Sequence, residues 1–307
     1  MVRFPAISAV AGIAAAIVAV GLFICIGAVR IARPSLDWPD RRPIGALFLA
    51  DHTHTSVKNP RGWFNEPDLD VRGPEGFVRF RQAILEYAER SIVILRRTDA
   101  QGMIAWDLEG EEFPHKTTYI GDPRILGRLA PEAAAVADDF FKRFRDAGLR
   151  VGVTLRPQEL LLDGAGNARQ AEIEDYDLIL LEKIDYARKR WGATLFYIDS
   201  NGGPFWPTEV VRLQRLARQR PDVLLIPEHH DALYYSFSAP YGSMQQGASA
   251  TLRAIRILYP NAFQVLALPD SGGEAAIRAA YRNGDVLLFR AWFDGPAVEI
   301  IESLSKR

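Results

Sequence analysis

Ala193-Thr194-Leu195-Phe196-Tyr197-Ile198-Asp199-Ser200-Asn201-Gly202-Gly203 is the stretch on which the fold turns. Five residues from Thr194 to Ile198 are apolar or β-branched, an aspartate follows, and two glycines then turn the chain. A short continuous apolar run of this kind marks a strand covered on both faces, as in a parallel sheet. A carboxylate at its carboxyl end sits where folds with parallel strands place their chemistry.

Working outward, the same plan recurs. Apolar runs at residues 46–50, 102–106, 151–155, 223–226, 263–267 and 286–289 each end in polar residues, and the aromatic segment 234–237 reads as a shorter strand. Helical spacing fills the intervals at 76–97, 131–147, 172–191, 208–218, 247–258, 274–282 and 296–303. Gly148 and Gly192 stand just past the ends of two of these, where helices favour glycine. Residues 59–75, rich in Pro, Gly and Asp, read as a long loop, of the kind that is functional or mobile.

Strands alternating with helices predict βαβ units. Eight strands over about 260 residues match a (β/α)8 TIM barrel. A doubly wound sheet is the alternative. The first strand is followed by no Gly-x-Gly-x-x-Gly, and the chain has no P-loop and no solenoid-type repeat.

Composition agrees with an ordinary globular domain: 307 residues, 48% hydrophobic, 24% charged, net charge -1. Lys and Arg are spread along the chain, without the basic footprint of a nucleic-acid binder. The single cysteine, Cys25, lies in the first hydrophobic run, so the domain beyond it has no disulfide and no thiol nucleophile. That run, Phe4 to Val29, contains 26 residues and no charge. A bilayer span needs roughly 20, whereas a signal-peptide core takes about 7–15. The expectation is therefore an uncleaved single-pass anchor at 1–33, a proline-rich linker at 34–45 and the barrel at 46–307. The barrel is expected in the periplasm or outside the cell, although Arg3, Arg30 and Arg33 flank the run without favouring that orientation.

The strand ends collect Asp51, Asp107, Glu109, Arg156, Asp199, Glu228, Asp270 and Asp294. In a barrel all would converge on one face. Aspartates also cap helices and brace turns, but Asp199 and Glu228 do not lie just before a clear helix start. Two carboxyls across a cleft suit glycosidic bond cleavage, one as proton donor and one as nucleophile or base. Asp199, Glu228 and Asp270 are the candidate catalytic acids. Asp199 is expected ionised beside Arg156, with Glu228 or Asp270 carrying the proton. Trp106, Tyr235 and Trp292 are candidate sugar-stacking residues, with Trp206, Tyr234 and Tyr241 near the same ends; the plainer reading of these aromatics is core. Asp107, Glu109, Arg156, His52, His54 and His229 are candidate substrate contacts.

The histidines carry a rival reading. His52-Thr53-His54 after a first barrel strand can hold a divalent metal, since alternate residues of an extended segment share a face. That pattern is similar to amidohydrolase-type barrels, but here no Lys ends the fourth strand and no His ends the strand before Asp270. No metal and no cofactor are therefore expected. A third reading is a carbohydrate-binding barrel without catalysis.

Trp106-Asp107, Tyr197-Ile198-Asp199 and Pro227-Glu228 together resemble the strand-end motifs of the glycoside hydrolase clan that contains the α-galactosidases. The resemblance covers residues 46–294 in plan and only these short motifs in sequence. It implies a TIM barrel acting on carbohydrate, with Asp199 as nucleophile, Glu228 on a sugar hydroxyl and Asp107 holding the sugar. The clan's acid/base is an aspartate after the sixth strand. No acid follows 234–237, and Asp270 takes that place only if this segment is not a strand. The clan's lysine two residues before the nucleophile is Tyr197 here. Residues 102–113 and 146–157 also resemble uncharacterised bacterial hydrolase-like barrels.

Overall fold

The computed structural model describes residues 36–50, 55–66, 68–110, 120–162, 168–201, 210–229 and 231–306. Eight strands form one parallel sheet: β1 (Ile44–Phe48), β2 (Gly102–Trp106), β3 (Arg150–Leu155), β4 (Leu195–Ile198), β5 (Leu224–Pro227), β6 (Tyr241–Ser243), β7 (Val265–Ala267) and β8 (Val286–Arg290). Their order is β5-β4-β3-β2-β1-β8-β7-β6, so sequence neighbours are sheet neighbours and β1 pairs with β8. The two ends, β5 and β6, meet at a seam where the Ala239 N–H donates to the Leu225 carbonyl at 3.0 Å. The sheet is thus a nearly closed (β/α)8 barrel, and the doubly wound alternative is excluded.

The helices are α1 (Gly73–Arg97), α2 (Ala137–Asp146), α3 (Tyr176–Trp191), α4 (Val210–Gln219), α5 (Arg253–Leu258), α6 (Glu274–Arg282) and α7 (Pro296–Ser305), with short turns at Leu126–Leu129 and Pro131–Ala134. Alternation along each strand sorts the core into two layers. Ile44, Ala46, Ile104, Trp106, Leu195, Tyr197, Leu224, Ile226, Val286 and Leu288 fill the barrel interior. Leu47, Met103, Val151, Val153, Phe196, Leu225 and Leu287 face outward against the helices. Gly192 ends α3 in the left-handed region, φ 69°, as its position in the sequence predicts.

Several expectations need correction. Residues 234–237 are not the sixth strand. Tyr234–Ser236 is a 3-10 turn whose amides bond locally, Tyr234 N–H to the Asp231 carbonyl and Phe237 N–H to the Tyr234 carbonyl. The sixth strand is the three-residue segment that follows, so Asp270 lies after β7. The helix expected at 131–147 breaks between Pro131–Ala134 and α2, because Val136 N–H bonds Ala133 rather than continuing the helix. The helix expected from 172 begins at Tyr176, after an antiparallel hairpin of Glu159–Leu162 with Ala168–Ala171. The helix expected at 247–258 shrinks to α5.

Residues 34–45 are not a free linker over their described part. Leu36 and Trp38, each 8% exposed, join the interior layer at the strand-start end of the barrel. The Trp38 indole N–H donates to Gln101 at 3.1 Å, and the Arg41 guanidinium lies over Phe263. The expected anchor lies outside the described residues. Among the described residues no helix is long and apolar enough to cross a membrane.

Candidate active site

Alternation also builds the site. Thr154, Tyr197 and Ile226 lie one residue before the last of their strands or at its last turn inward, so Arg156, Asp199 and Glu228, two positions on, share their direction. The ladder continues past the strands: Asp199 N–H donates to the Leu155 carbonyl at 2.8 Å and Glu228 N–H to the Ile198 carbonyl at 3.0 Å. Three adjacent strand ends therefore deliver a cation and two carboxyls side by side. Gly121, φ 67°, lets a neighbouring loop run against this edge; its carbonyl accepts the Arg156 N–H at 3.0 Å, and a Cβ there would lie 2.7 Å from that nitrogen.

Arg156 and Asp199 are 5% and 8% exposed, and the Arg156 Nε donates to Asp199 Oδ2 at 2.5 Å. Ser200 adopts φ 52°, uncommon for a residue with a Cβ, and this aims its N–H at Glu228 Oε2, 2.8 Å away. Asn201 Oδ1 accepts the Glu228 and His229 amides at 2.6 and 3.1 Å, while its Nδ2 donates to the Tyr234 hydroxyl at 3.0 Å. The Glu228 carboxyl bonds the Asp199 carboxylate directly and also meets the Tyr197 hydroxyl. Burial, then the Asp199 charge, push Glu228 up to about 7, against the opposing pull of the Ser200 amide. Near neutrality Glu228 is thus partly protonated beside a carboxylate already paired with Arg156. Burial and the same two acids also raise the Tyr197 hydroxyl.

Aromatic rings continue the site across the mouth. Trp106 lies 4.6 Å from Tyr197 and 5.2 Å from Phe48, and Tyr197 lies 5.2 Å from Tyr241. Trp292 packs edge-on to Phe48 at 5.5 Å and stacks on Tyr87. It lines a cavity of about 460 Å³ beside the mouth with Phe64, Glu86, Arg90 and Arg290. Asp270 pairs with Arg290 at 3.0 Å, and that guanidinium lies over Phe48.

Behind the site is a second polar group. Lys183, fully buried on α3, donates to the Arg156 and Gln158 carbonyls at 2.7 Å each and lies 3.7 Å from Asp122 Oδ2. Burial pulls its amine down to about 8, opposed by Asp122. Burial works to raise Asp122 too, but Arg124 and Lys183 override it and hold the carboxyl below its ordinary value. Glu109 is 1% exposed, its Oε2 has no hydrogen-bond partner, and burial together with the Asp122 charge pushes it up to about 7.

The structure thus brings Asp199, Glu228, Arg156 and Trp106 together, with His229 Nε2 3.6 Å from Glu228 at the rim. It places Asp270 with Arg290 and Glu109 behind the site. Asp107, 3% exposed with φ 57°, ends β2 on the side of Tyr87. Tyr235 is elsewhere, packed on Tyr259 and Ala262. His52, His54, His230 and Trp206 lie outside the described residues. Among the described residues no three His, Cys, Asp or Glu side chains gather to hold a metal ion.

Sequence reading missed Ser200, Asn201 and Lys183. Lys183 had a signal: it falls on the buried stripe Tyr176, Leu180, Ile184, Ala187 and Trp191 of α3.

No protein-family model matches the chain, and no curated protein matches it. Solved structures do. An α-amylase from Lactobacillus plantarum matches at 12% identity and TM-score 0.50, over 87% of this chain and 79% of that one. An α-amylase from Geobacillus thermoleovorans, complexed with acarbose, matches at 10% identity and TM-score 0.47, over 85% and 73%. An α-fucosidase from Thermotoga maritima matches at 12% identity and TM-score 0.46, over 92% and 75%. At such identities the likeness shows the fold: the chain is a (β/α)8 barrel similar to that of the Lactobacillus plantarum α-amylase.

Proposed function

We propose that the chain is a glycoside hydrolase-like enzyme that cleaves an oligo- or polysaccharide with Asp199 and Glu228, held to a membrane by residues 4–29. The observation that carries the reading is the carboxyl pair itself, at adjacent strand ends, with one member on Arg156 and the other raised to about 7. Protonated Glu228 gives its proton to the glycosidic oxygen as the bond from that oxygen to the anomeric carbon breaks. Asp199, an anion on Arg156, stabilises the positive charge that develops at that carbon, or bonds to it until water replaces it. The rings of Trp106 and Tyr241, with the Asp270–Arg290 pair, supply stacking surface and hydroxyl partners at the mouth.

The two carboxyls are in hydrogen-bond contact. Glycosidases keep theirs about 5–5.5 Å apart when retaining and about 6.5–9.5 Å when inverting. In this reading a bound sugar separates the two carboxyls. This contact also favours a second reading, a barrel that binds carbohydrate without cleaving it. Reducing-end release from a panel of α- and β-linked glycans tests the pair, with binding to the same glycans measured in parallel. The hydrolase reading expects release by the native chain and none by Asp199→Asn, which still binds. Binding without release by the native chain leaves the second reading standing, and neither binding nor release removes both.

A further inference from the structure

The two ends of the barrel differ in charge because its helices run the same way. Acids start them, as Glu75, Asp138, Asp177 and Glu274 do, and bases end them. Singly, this is the ordinary complement of a helix dipole. Repeated around a barrel, it becomes a face. On the strand-start end, Arg42, Arg145, Lys189, Arg218 and Arg282 are exposed. Asp40 and Asp99 answer Arg42 there, and Asp185 and Asp222 answer Arg188, but Lys189, Arg218 and Arg282 form no ion pair among the described residues.

A second feature of this end is apolar. Ile257 and Leu258, at the end of α5, are 52% and 43% exposed, and Tyr281, beside Arg282, is 37% exposed. Their two elements are tied at this end, where Arg256 donates to the Ala262 carbonyl and to Asn283, residues that lead into β7 and β8. Exposed aliphatic and aromatic side chains among arginines suit the interface of an anionic bilayer, where basic groups meet headgroups and apolar ones enter the acyl boundary.

The chain also arrives here. Leu36 and Trp38 cover this end of the barrel, and six residues, Arg30 to Ser35, separate Leu36 from the uncharged run Phe4 to Val29. Six residues reach at most about 20 Å. Two of them, Arg30 and Arg33, add positive charge.

We infer that the strand-start face docks on an anionic lipid bilayer through its basic residues and the exposed Ile257, Leu258 and Tyr281 side chains, so that the mouth with Asp199 and Glu228 points away from the membrane. The inference does not depend on whether that mouth cleaves a glycan. It directs the site to material standing off the membrane rather than to the lipids themselves.

The test uses the full chain with Cys25→Ser and one new cysteine carrying an environment-sensitive fluorophore. Ile257→Cys reports the strand-start face, and Leu233→Cys, exposed beside Tyr234 at the mouth, reports the other end. Each protein is mixed with phosphatidylcholine vesicles, with or without 30% phosphatidylglycerol, made from brominated lipids that quench on contact. Quenching at position 257 that needs phosphatidylglycerol, with none at 233, is the expected result. Arg218→Glu with Arg282→Glu should then weaken the vesicle affinity read by quenching at 257 by at least about thirtyfold, since each basic group near such a surface contributes about 1 kcal/mol. No quenching at 257, equal quenching at 233, indifference to phosphatidylglycerol, or indifference to the charge reversal each overturns it.

Discussion

Glu228 and Glu109 are both pushed up to about 7, and the routes differ. Glu228 is half-buried at the mouth and touches a second carboxyl, so its proton is shared and within reach of a ligand. Glu109 is sealed behind β2, with one oxygen unpartnered and its nearest charges on Asp122 and Lys183. A raised carboxyl is therefore not by itself a catalytic signature. Access and a partner that turns the proton to use separate the two.

The largest expected effect separates them by rate. Glu228→Gln should lower turnover about 10²–10⁴-fold, the usual contribution of a positioned acid, while Glu109→Gln should leave it within a few-fold. In the native protein turnover should fall as pH rises through about 7, because the acid form of Glu228 is the active one, and Glu228→Gln should lose that limb. Initial rates from pH 5 to 9 on the true substrate check this, and equal losses in the two variants would sink the comparison.

Lys183→Met comes next. It removes the donor to two strand-end carbonyls and leaves Asp122 with Arg124 alone. Breaking a buried pair from one side costs about 3–5 kcal/mol. Urea melts should show that loss, and a shift below about 1 kcal/mol would mean that Lys183 is not the brace described.

Glu109→Gln should then act on stability instead of rate. The folded pKa of Glu109 lies above its ordinary 4.5, so its contribution is fully present below about pH 4.5 and is lost as pH rises through about 7. Glutamine has no such loss. Relative to the native chain, the variant should gain stability across that window, by on the order of 3 kcal/mol at its upper end. Parallel melts at pH 4.5 and 8 measure the difference, and a flat difference would show that Glu109 does not titrate there.

The smallest effect belongs to Tyr234→Phe, which removes one hydrogen bond to Asn201. About 1 kcal/mol of stability should go, with the pH limb of Glu228 unmoved. A displaced limb would show that Asn201 governs the carboxyl pair and does more than hold the β5 amides.

Much of this was legible in the chain. Buried strands announce themselves by short, mainly apolar runs, so β2, β3, β4 and β5 and the charged residues that follow them could be read directly. The sixth strand could not. Tyr241–Ser243 has three residues and a glycine, while the aromatic Tyr234–Ser236 looks more like a strand and folds as a turn. Local propensity is a weak guide where a seam of the barrel decides which short segment pairs.

Sequence alone determined the repeating strand–helix plan and the direction of Arg156, Asp199 and Glu228, because the period of a strand is two and a buried run shows where it ends. Only the tertiary structure decided that Glu228 leans on Asp199 while Glu109 is sealed away, that Asp270 pairs with Arg290, and that Leu36 and Trp38 close the barrel. Those facts depend on which distant segments meet and how much water is left between them. A carboxyl's charge is set by that surrounding medium, and no local pattern along the chain encodes it.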